Sequence, residues 1–395
     1  MSKKNQAMIA RTLTQKILAL AKVFPVITVT GPRQSGKTTL LKAIFPDKQY
    51  VSLEDPDTRI FAQNDPRAFL ANLPDGGILD EVQRVPALLS YLQTRVDQNQ
   101  IMGEFILSGT QNLLLMDQLS QTLAGRTALL KLLPLSNFEL EATEYADQNW
   151  EERVINGGYP RIYDKNILPS DFYASYFETY VERDVRQLKN IQNLDLFTKF
   201  VMLCAGRTGQ LLNITSLAND CGISHHAAQS WLSLLQTSYV IFLLQPHFEN
   251  FSKRIVKMPK LYFYDTGLAA HLLKLNEAEQ LKTHYIRGGL FENMILNEIQ
   301  KHYYNQGNNP PIYFWRDQTG HEIDCMIESA SCFDLIEIKS AMTFQEEFLK
   351  QIRYFRKLNN NKKTTTAKIV YTGDFHRKQD EFELLPWNKL YKSLN

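Results

Sequence analysis

The chain has 395 residues, too many for one typical hydrophobic core, so roughly two to four domains are expected. Apolar residues make up 44% and charged residues 22%, the balance of an ordinary globular protein. Lysine and arginine total 44 against 42 acids, a net charge of +2, which excludes a chain that seeks polyanions as a whole. Any nucleic-acid surface must come from local clustering. No apolar run approaches about 18 residues, so no membrane span is expected. The start of the chain lacks the apolar segment and cleavage site of a signal peptide. The cysteines, Cys204, Cys221, Cys325 and Cys332, form no C-x-x-C pair, so neither a zinc site nor a disulfide framework is expected. Together these features point to a cytoplasmic protein with idle thiols.

An apolar stripe of Ile9, Leu13, Ile17, Leu18 and Leu20 predicts a helix over 5–23. Next comes a β-branched run, Val26-Ile27-Thr28-Val29-Thr30, then Gly31-Pro32-Arg33-Gln34-Ser35-Gly36-Lys37-Thr38-Thr39 and an apolar helical start. This is G-x-x-x-x-G-K-T in the context of strand, glycine-rich loop and helix, the pattern of a phosphate-binding loop. The two glycines let the backbone curl so that successive N–H groups converge on an anion, and the helix N-terminus adds its dipole. Lys37 is expected to reach the β- and γ-phosphates of ATP, and the Thr38 hydroxyl to sit on Mg²⁺.

Strands are expected at 50–53, 76–81, 105–111 and 128–133, with helical pieces near 57–63, 66–73 and 86–99. Five strands alternating with helices imply an α/β, mostly parallel sheet with its ligand at the carboxyl edge. The third strand ends in Asp80-Glu81, which resembles a Walker B pair. There Asp80 can hold the Mg²⁺ shell and Glu81 can orient the attacking water. The next strand ends in Thr110-Gln111, candidates for sensing the γ-phosphate. Arg126 is read as an arginine finger on a neighbouring subunit, a sensor in cis, or a plain surface arginine.

The punctuation Asn156-Gly157-Gly158-Tyr159-Pro160 marks a turn or hinge. A helix over 169–189 carries Tyr173, Tyr176, Phe177 and Tyr180 as a core stripe, with Arg183 near its end as an ion-pairing residue or a reach toward nucleotide. Residues 192–245 read as a winged helix, with a helix-turn-helix through Gly222 and Ser224. Its hairpin runs from 239–244 to 260–264. Lys253, Arg254, Lys257 and Lys260 make a basic wing with no acid after Glu249, which fits either DNA contact or mere packing.

In the last third, Glu292 opens a helix, Asp324 lies on one strand, and Glu337-x-Lys339 lies on the next. A period of two puts Leu335, Glu337 and Lys339 on one face and Ile336 and Ile338 on the other. This ordered set resembles the PD-(D/E)xK nuclease fold. On that resemblance, Glu292, Asp324 and Glu337 would bind Mg²⁺, and Glu337 and Lys339 would serve catalysis, Lys339 by positioning or deprotonating water. The alternative is a solvated acidic face on a partner-binding domain.

As a whole the chain resembles a prokaryotic family of AAA-type ATPases with a C-terminal domain of unknown function. Besides the loop, the carrying residues are Leu79-Asp80-Glu81-Val82-Gln83, Leu107-Ser108-Gly109-Thr110-Gln111, Leu123-Ala124-Gly125-Arg126, Gly157-Gly158-Tyr159-Pro160, Tyr180-Val181-Glu182-Arg183-Asp184 and Lys260-Leu261-Tyr262-Phe263-Tyr264-Asp265-Thr266-Gly267-Leu268. The resemblance implies an ATPase domain at 1–140, a helical lid at 141–190, a winged helix at 191–280 and a restriction-nuclease-like domain at 281–395. The expected function is Mg²⁺-dependent ATP hydrolysis coupled to DNA binding and extended to DNA cleavage. The alternative is a nucleotide-gated switch that holds a protein or nucleic acid without cutting. ATP and DNA are the expected partners, with a homo-oligomer where an arginine finger acts in trans.

Overall fold

The computed structural model describes residues 8–110, 122–185, 193–247, 257–359 and 363–394. The first sheet is built from β1 (Val26–Thr30), β2 (Tyr50–Ser52), β3 (Gly77–Asp80), β4 (Phe105–Gly109) and β5 (Thr127–Lys131), in the order β2-β3-β4-β1-β5. All four pairings are parallel. β1 and β4 are buried along their whole length, as β-branched and apolar residues in a sheet covered on both faces require. Val26, Leu79 and Leu107 pack to one side with helix Leu88–Asn99, while Ile27, Val29, Ile78 and Ile106 pack to the other with Leu40 and Leu41. Helices Pro56–Asn64 and Pro66–Ala71 each start with proline behind an aspartate cap: Asp55 accepts from the Thr58 N–H at 2.9 Å and Asp65 from that of Ala68 at 3.0 Å.

The first helix is shorter than its apolar stripe suggests, spanning Thr14–Leu20. The residues before it are irregular and turn into the helix, with the Thr14 N–H donating to the Arg11 carbonyl at 3.1 Å. The helix expected over 169–189 is α-helical over Pro169–Tyr176 and continues as a wider π-helical turn over Phe177–Val185. Helices Ile214–Cys221 and His225–Thr237 form the helix-turn-helix. Gly222 supplies the left-handed turn at φ 83°, and Ser224 caps the second helix by accepting from the Ala227 N–H at 3.1 Å. β6 (Ile241–Leu244) and β7 (Lys260–Phe263) pair antiparallel as expected.

The second sheet contains β8 (Ile312–Arg316), β9 (Glu322–Glu328), β10 (Cys332–Lys339), β11 (Thr364–Tyr371), β12 (Arg377–Lys378) and β13 (Glu383–Pro386). Its order is β12-β13-β11-β10-β9-β8, and it is mixed: β10-β11 and β11-β13 are parallel, and the other pairs are antiparallel. The period-two reading of β10 holds. Leu335 packs toward helix Lys350–Asn359, while Ile336 and Ile338 join a large cluster that includes helix Arg287–Asn305, the middle helices and the β6–β7 hairpin. That cluster extends from Leu135 to Leu394. Among the described residues no helix is long and apolar enough to cross a membrane. Cys204, Cys221 and Cys325 are buried free thiols.

Candidate functional site

β1 delivers the chain to a tight loop. At Gly31, φ is 151° and a Cβ would sit 2.2 Å from the Leu132 carbonyl oxygen, so only glycine fits. Gly36 at φ 92° then opens helix Lys37–Ile44. Gln34 is also left-handed, at φ 63°, a strained position of the kind that clusters at ligand sites. The Lys37 ammonium folds back on the loop, donating to the Gly31 carbonyl at 3.0 Å and the Pro32 carbonyl at 2.8 Å. Burial lowers its pKa to about 8, against the opposing pull of Glu81 and Asp80. Ser35 Oγ and Gln34 Oε1 are buried without a hydrogen-bond partner among the described residues. A desolvated ammonium and the unpartnered Ser35 hydroxyl, a free donor, in a glycine cradle fit a phosphate group. Thr39 is exposed on the first turn, and Arg33 pairs with Glu54 at 2.6 Å at the loop's edge.

β3 lies between β2 and β4, and its last residue faces the loop. The Thr38 hydroxyl donates to Asp80 Oδ2 at 2.8 Å, as does the Tyr50 hydroxyl at 2.8 Å, and Ser108 donates to Asp80 Oδ1. Thr38 and Asp80 are thus already in contact, a hard-oxygen pair of the kind that would hold a Mg²⁺ and supply charge neutralisation beside a phosphate. Glu81 follows at φ 56°, left-handed and non-glycine. Its carboxylate is held by the Thr110 hydroxyl at 2.6 Å and by the Gln83 amide, which also reaches Thr110 at 3.2 Å. Thr110 therefore orients Glu81 from the end of β4. Gln111, the companion candidate, lies outside the described residues, as do Lys253, Arg254 and the side chain of Arg183.

Arg126 departs from its reading as a sensor in cis. It precedes β5, and its carbonyl accepts from the Val26 N–H at the start of β1. Because the strands are parallel, it sits at the amino edge of the sheet, about 16 Å of strand away from the loop. It forms a bidentate ion pair with Asp97 there, Nη2 to Oδ2 being 2.9 Å.

The C-terminal candidates fall into two ion-pair groups, one joining Asp324 on β9 with Glu337 and Lys339 on β10, the other built around Glu292 on helix Arg287–Asn305. Lys339 Nζ lies 3.1 Å from Asp324 Oδ2 and 2.6 Å from Glu337 Oε2, and the Ile338 N–H donates to Asp324 at 2.8 Å. Glu292 Oε1 accepts from Lys260 Nζ at 2.9 Å and from the Tyr262 hydroxyl. Lys260 also pairs with Glu322, whose other oxygen takes Arg316 at 2.7 Å. The expected metal set of Glu292, Asp324 and Glu337 is not met as drawn: lysines stand between the carboxylates, and among the described residues no three His, Cys, Asp or Glu side chains gather closely enough to hold a metal ion. Nor is Lys260 part of an exposed basic wing, being only 3% exposed. Of the described wing cations, Lys257 alone is exposed.

Against known sequences, residues 23–141 match a family described as an AAA domain. Residues 147–279 and 287–390 match two domains of unknown function, DUF8612 and DUF4143. The uncharacterized protein Rv2008c of Mycobacterium tuberculosis is 30% identical over 325 residues, which span 81% of this chain and 71% of that protein. Protein Mb2031c of Mycobacterium bovis matches to the same extent. The chain belongs to the family of these mycobacterial proteins. An uncharacterized Haemophilus influenzae protein is similar at 22% identity over 302 residues, 68% of this chain and 74% of its own. Among solved structures, the Walker-type ATPase PABY2304 of Pyrococcus abyssi is similar with a TM-score of 0.39 at 14% identity, over 66% of this chain and 94% of its own. AMPPCP-bound DnaA of Aquifex aeolicus gives 0.30 at 15% identity, over 57% and 85%. The loop, the strand-end acids and the parallel sheet are those of an AAA-type P-loop ATPase fold.

Sequence reasoning missed what clamps the loop from behind. Arg11 donates through Nη1 to the Ser35 carbonyl at 2.8 Å, through Nη2 to the Leu133 carbonyl at 2.6 Å, and through Nε to Glu139 at 3.2 Å. Burial opposes the Glu139 charge, yet Arg11 and the Ser136 and Thr12 N–H groups hold its pKa below the usual range. Gly36 also faces Pro160, and two residues before it Gly158 donates its N–H to Asp265 Oδ2 at 2.8 Å. Tyr173 donates to Asp265 Oδ1 at 2.6 Å, and Asp265 caps helix Thr266–Leu272. The motif Gly157-Gly158-Tyr159-Pro160 thus links the nucleotide loop to the middle of the chain. Only the capping pattern at Glu139, three residues after Ser136, was visible in the sequence.

Proposed function

We propose that the protein is a Mg²⁺-dependent ATPase whose nucleotide state is passed through the Gly158–Asp265 contact to a DNA- or partner-binding remainder. The 2.8 Å contact between Thr38 and Asp80, with Glu81 held beside them by Thr110, carries this reading. When ATP binds, the Lys37 ammonium exchanges two loop carbonyls for phosphate oxygens and recovers the solvation it lacks. Mg²⁺, held by Thr38 and Asp80, would supply charge neutralisation at the transferring phosphoryl group. Glu81, fixed by Thr110 and Gln83, orients a water in line with that group and accepts its proton. Arg126 fits a role only toward a neighbouring subunit, which in a ring would stabilise the transition state in trans.

Any shift of the loop is felt at Pro160 and Gly158 and, through Asp265, at the helix that leads into the C-terminal third. The helix-turn-helix and Lys257 support contact with DNA. ATP turnover with and without DNA, compared with Lys37→Ala, tests the reading. Turnover should vanish in the variant and change with DNA in the wild type, and undiminished turnover in Lys37→Ala sinks it. The lysine-filled carboxylate cluster favours holding a partner over cutting it.

A further inference from the structure

The four C-terminal carboxylates differ in who neutralises them. Lys339, from the same strand as Glu337, serves Asp324 and Glu337. Glu292 and Glu322 instead share Lys260, which comes from the hairpin of the preceding segment and is more deeply buried than either acid it serves. That hairpin is fastened where it stands. The Phe263 N–H donates to Asn293 Oδ1 at 2.9 Å, and the Phe263 carbonyl accepts from Asn293 at 2.7 Å and Asn297 at 3.1 Å. On the other side, the Gly209 N–H donates to the Leu261 carbonyl at 2.8 Å, and the Leu261 N–H donates to the Gln210 carbonyl at 3.1 Å. Asn293 follows Glu292 on the same helix, so the lysine and its carboxylate are held by one rigid joint.

We propose that Lys260 is a resident cation: its ammonium takes the place between Glu292 and its neighbouring acids that a divalent metal would need, so the cluster works without a metal and binds the hairpin to the C-terminal sheet. The physical argument is charge and room. Glu292, Glu322, Asp324 and Glu337 face Lys260, Lys339 and Arg316, leaving little negative charge for a dication, and an incoming dication would meet an ammonium already hydrogen-bonded to Glu292 and Glu322. Glu337 Oε1 is the exception, buried without a partner among the described residues. One leftover acceptor is enough for a water or a donor from a bound partner, and too few for a metal shell. This inference does not depend on the ATPase reading, because none of its residues touches the nucleotide loop.

The test is Mn²⁺ binding, followed by electron paramagnetic resonance, on the full chain carrying Thr38→Ala to silence the nucleotide site. The Lys260-bearing protein should bind no Mn²⁺ that Asp324→Asn can remove. Lys260→Met should gain a Mn²⁺ site at least about tenfold tighter than any in its parent, and adding Glu292→Gln should abolish the gain. Folding of the variant is checked by circular dichroism and thermal melting. Two Mn²⁺-binding results overturn the proposal: an Asp324-dependent Mn²⁺ site in the Lys260-bearing protein, or a folded Lys260→Met protein with no gain. Should Lys260→Met fail to fold, the first measurement decides alone. Mg²⁺-dependent plasmid nicking by the wild type that Asp324→Ala abolishes also overturns it.

Discussion

Replacing Lys37 by methionine separates the energetic cost of the site from its function. The ammonium is buried against two carbonyls, and its pKa falls from 10.5 to about 8. Converted at ~1.36 kcal/mol per pH unit, that gap is roughly 3 kcal/mol of unfavourable burial in the ligand-free protein. Below about pH 8 the folded and unfolded chains both carry the proton, and the folded chain bears the whole cost. Between about pH 8 and 10.5 the unfolded chain holds a proton that the folded chain has released, so ligand-free stability gains from this group as pH rises. Lys37→Met keeps the aliphatic stem and removes the charge. Urea denaturation should find it more stable than ligand-free wild type near neutral pH by up to about 3 kcal/mol, an upper bound because the two hydrogen bonds are lost as well. The advantage should shrink toward about pH 10. Excess ATP should reverse the order, since only the wild type can bind it tightly. A variant no more stable than wild type at neutral pH, with a difference indifferent to pH, would refute the idea that Lys37 is held desolvated for a phosphate.

Glu81→Gln should retain ATP binding and lose turnover by about 10²–10⁴-fold, as read by fluorescent nucleotide titration and phosphate release. Arg11→Met should cost about 3–5 kcal/mol in chemical denaturation, because it leaves Glu139 charged and buried without its partner. Gly158→Ala would place a Cβ 2.5 Å from the Leu135 carbonyl oxygen. It should lose roughly 1–3 kcal/mol of stability and weaken any DNA effect on turnover while Lys37, Thr38 and Asp80 stay in place. Arg126→Ala should leave ATP affinity of the isolated subunit unchanged, and a drop in that affinity would return Arg126 to the cis site.

What the sequence made legible was local. Strand, loop and helix around Gly31–Thr38 are contiguous, and Asp80-Glu81 ends a strand whose apolar run is unmistakable. Hydrophobic periodicity likewise placed the helix-turn-helix and both faces of β10. What it could not show were pairings across long separations. Lys260 reads as one of four cations in a wing because no acid lies between Glu249 and it, yet its partners are 32 and 62 residues away, at Glu292 and Glu322. Arg126 sits in a motif beside the nucleotide strands, but parallel register puts it at their opposite end. Arg11 lies where an apolar stripe suggested a helix, and its partners Ser35, Leu133 and Glu139 are 24, 122 and 128 residues away.

The side-chain amides that bracket Phe263 have an evolutionary consequence. Asn293 offers its oxygen to the β7 N–H and its nitrogen to the β7 carbonyl, so a helix side chain does for that strand edge what a neighbouring strand would otherwise do. With the apolar cluster that runs on from Leu135 to Leu394, this stitches the last third of the chain to the part before it at the level of backbone groups. A C-terminal segment of this kind cannot be traded between proteins by recombination near residue 286 without also carrying a hairpin that matches it. Lineages that diversify such a chain must therefore change its two final segments in concert.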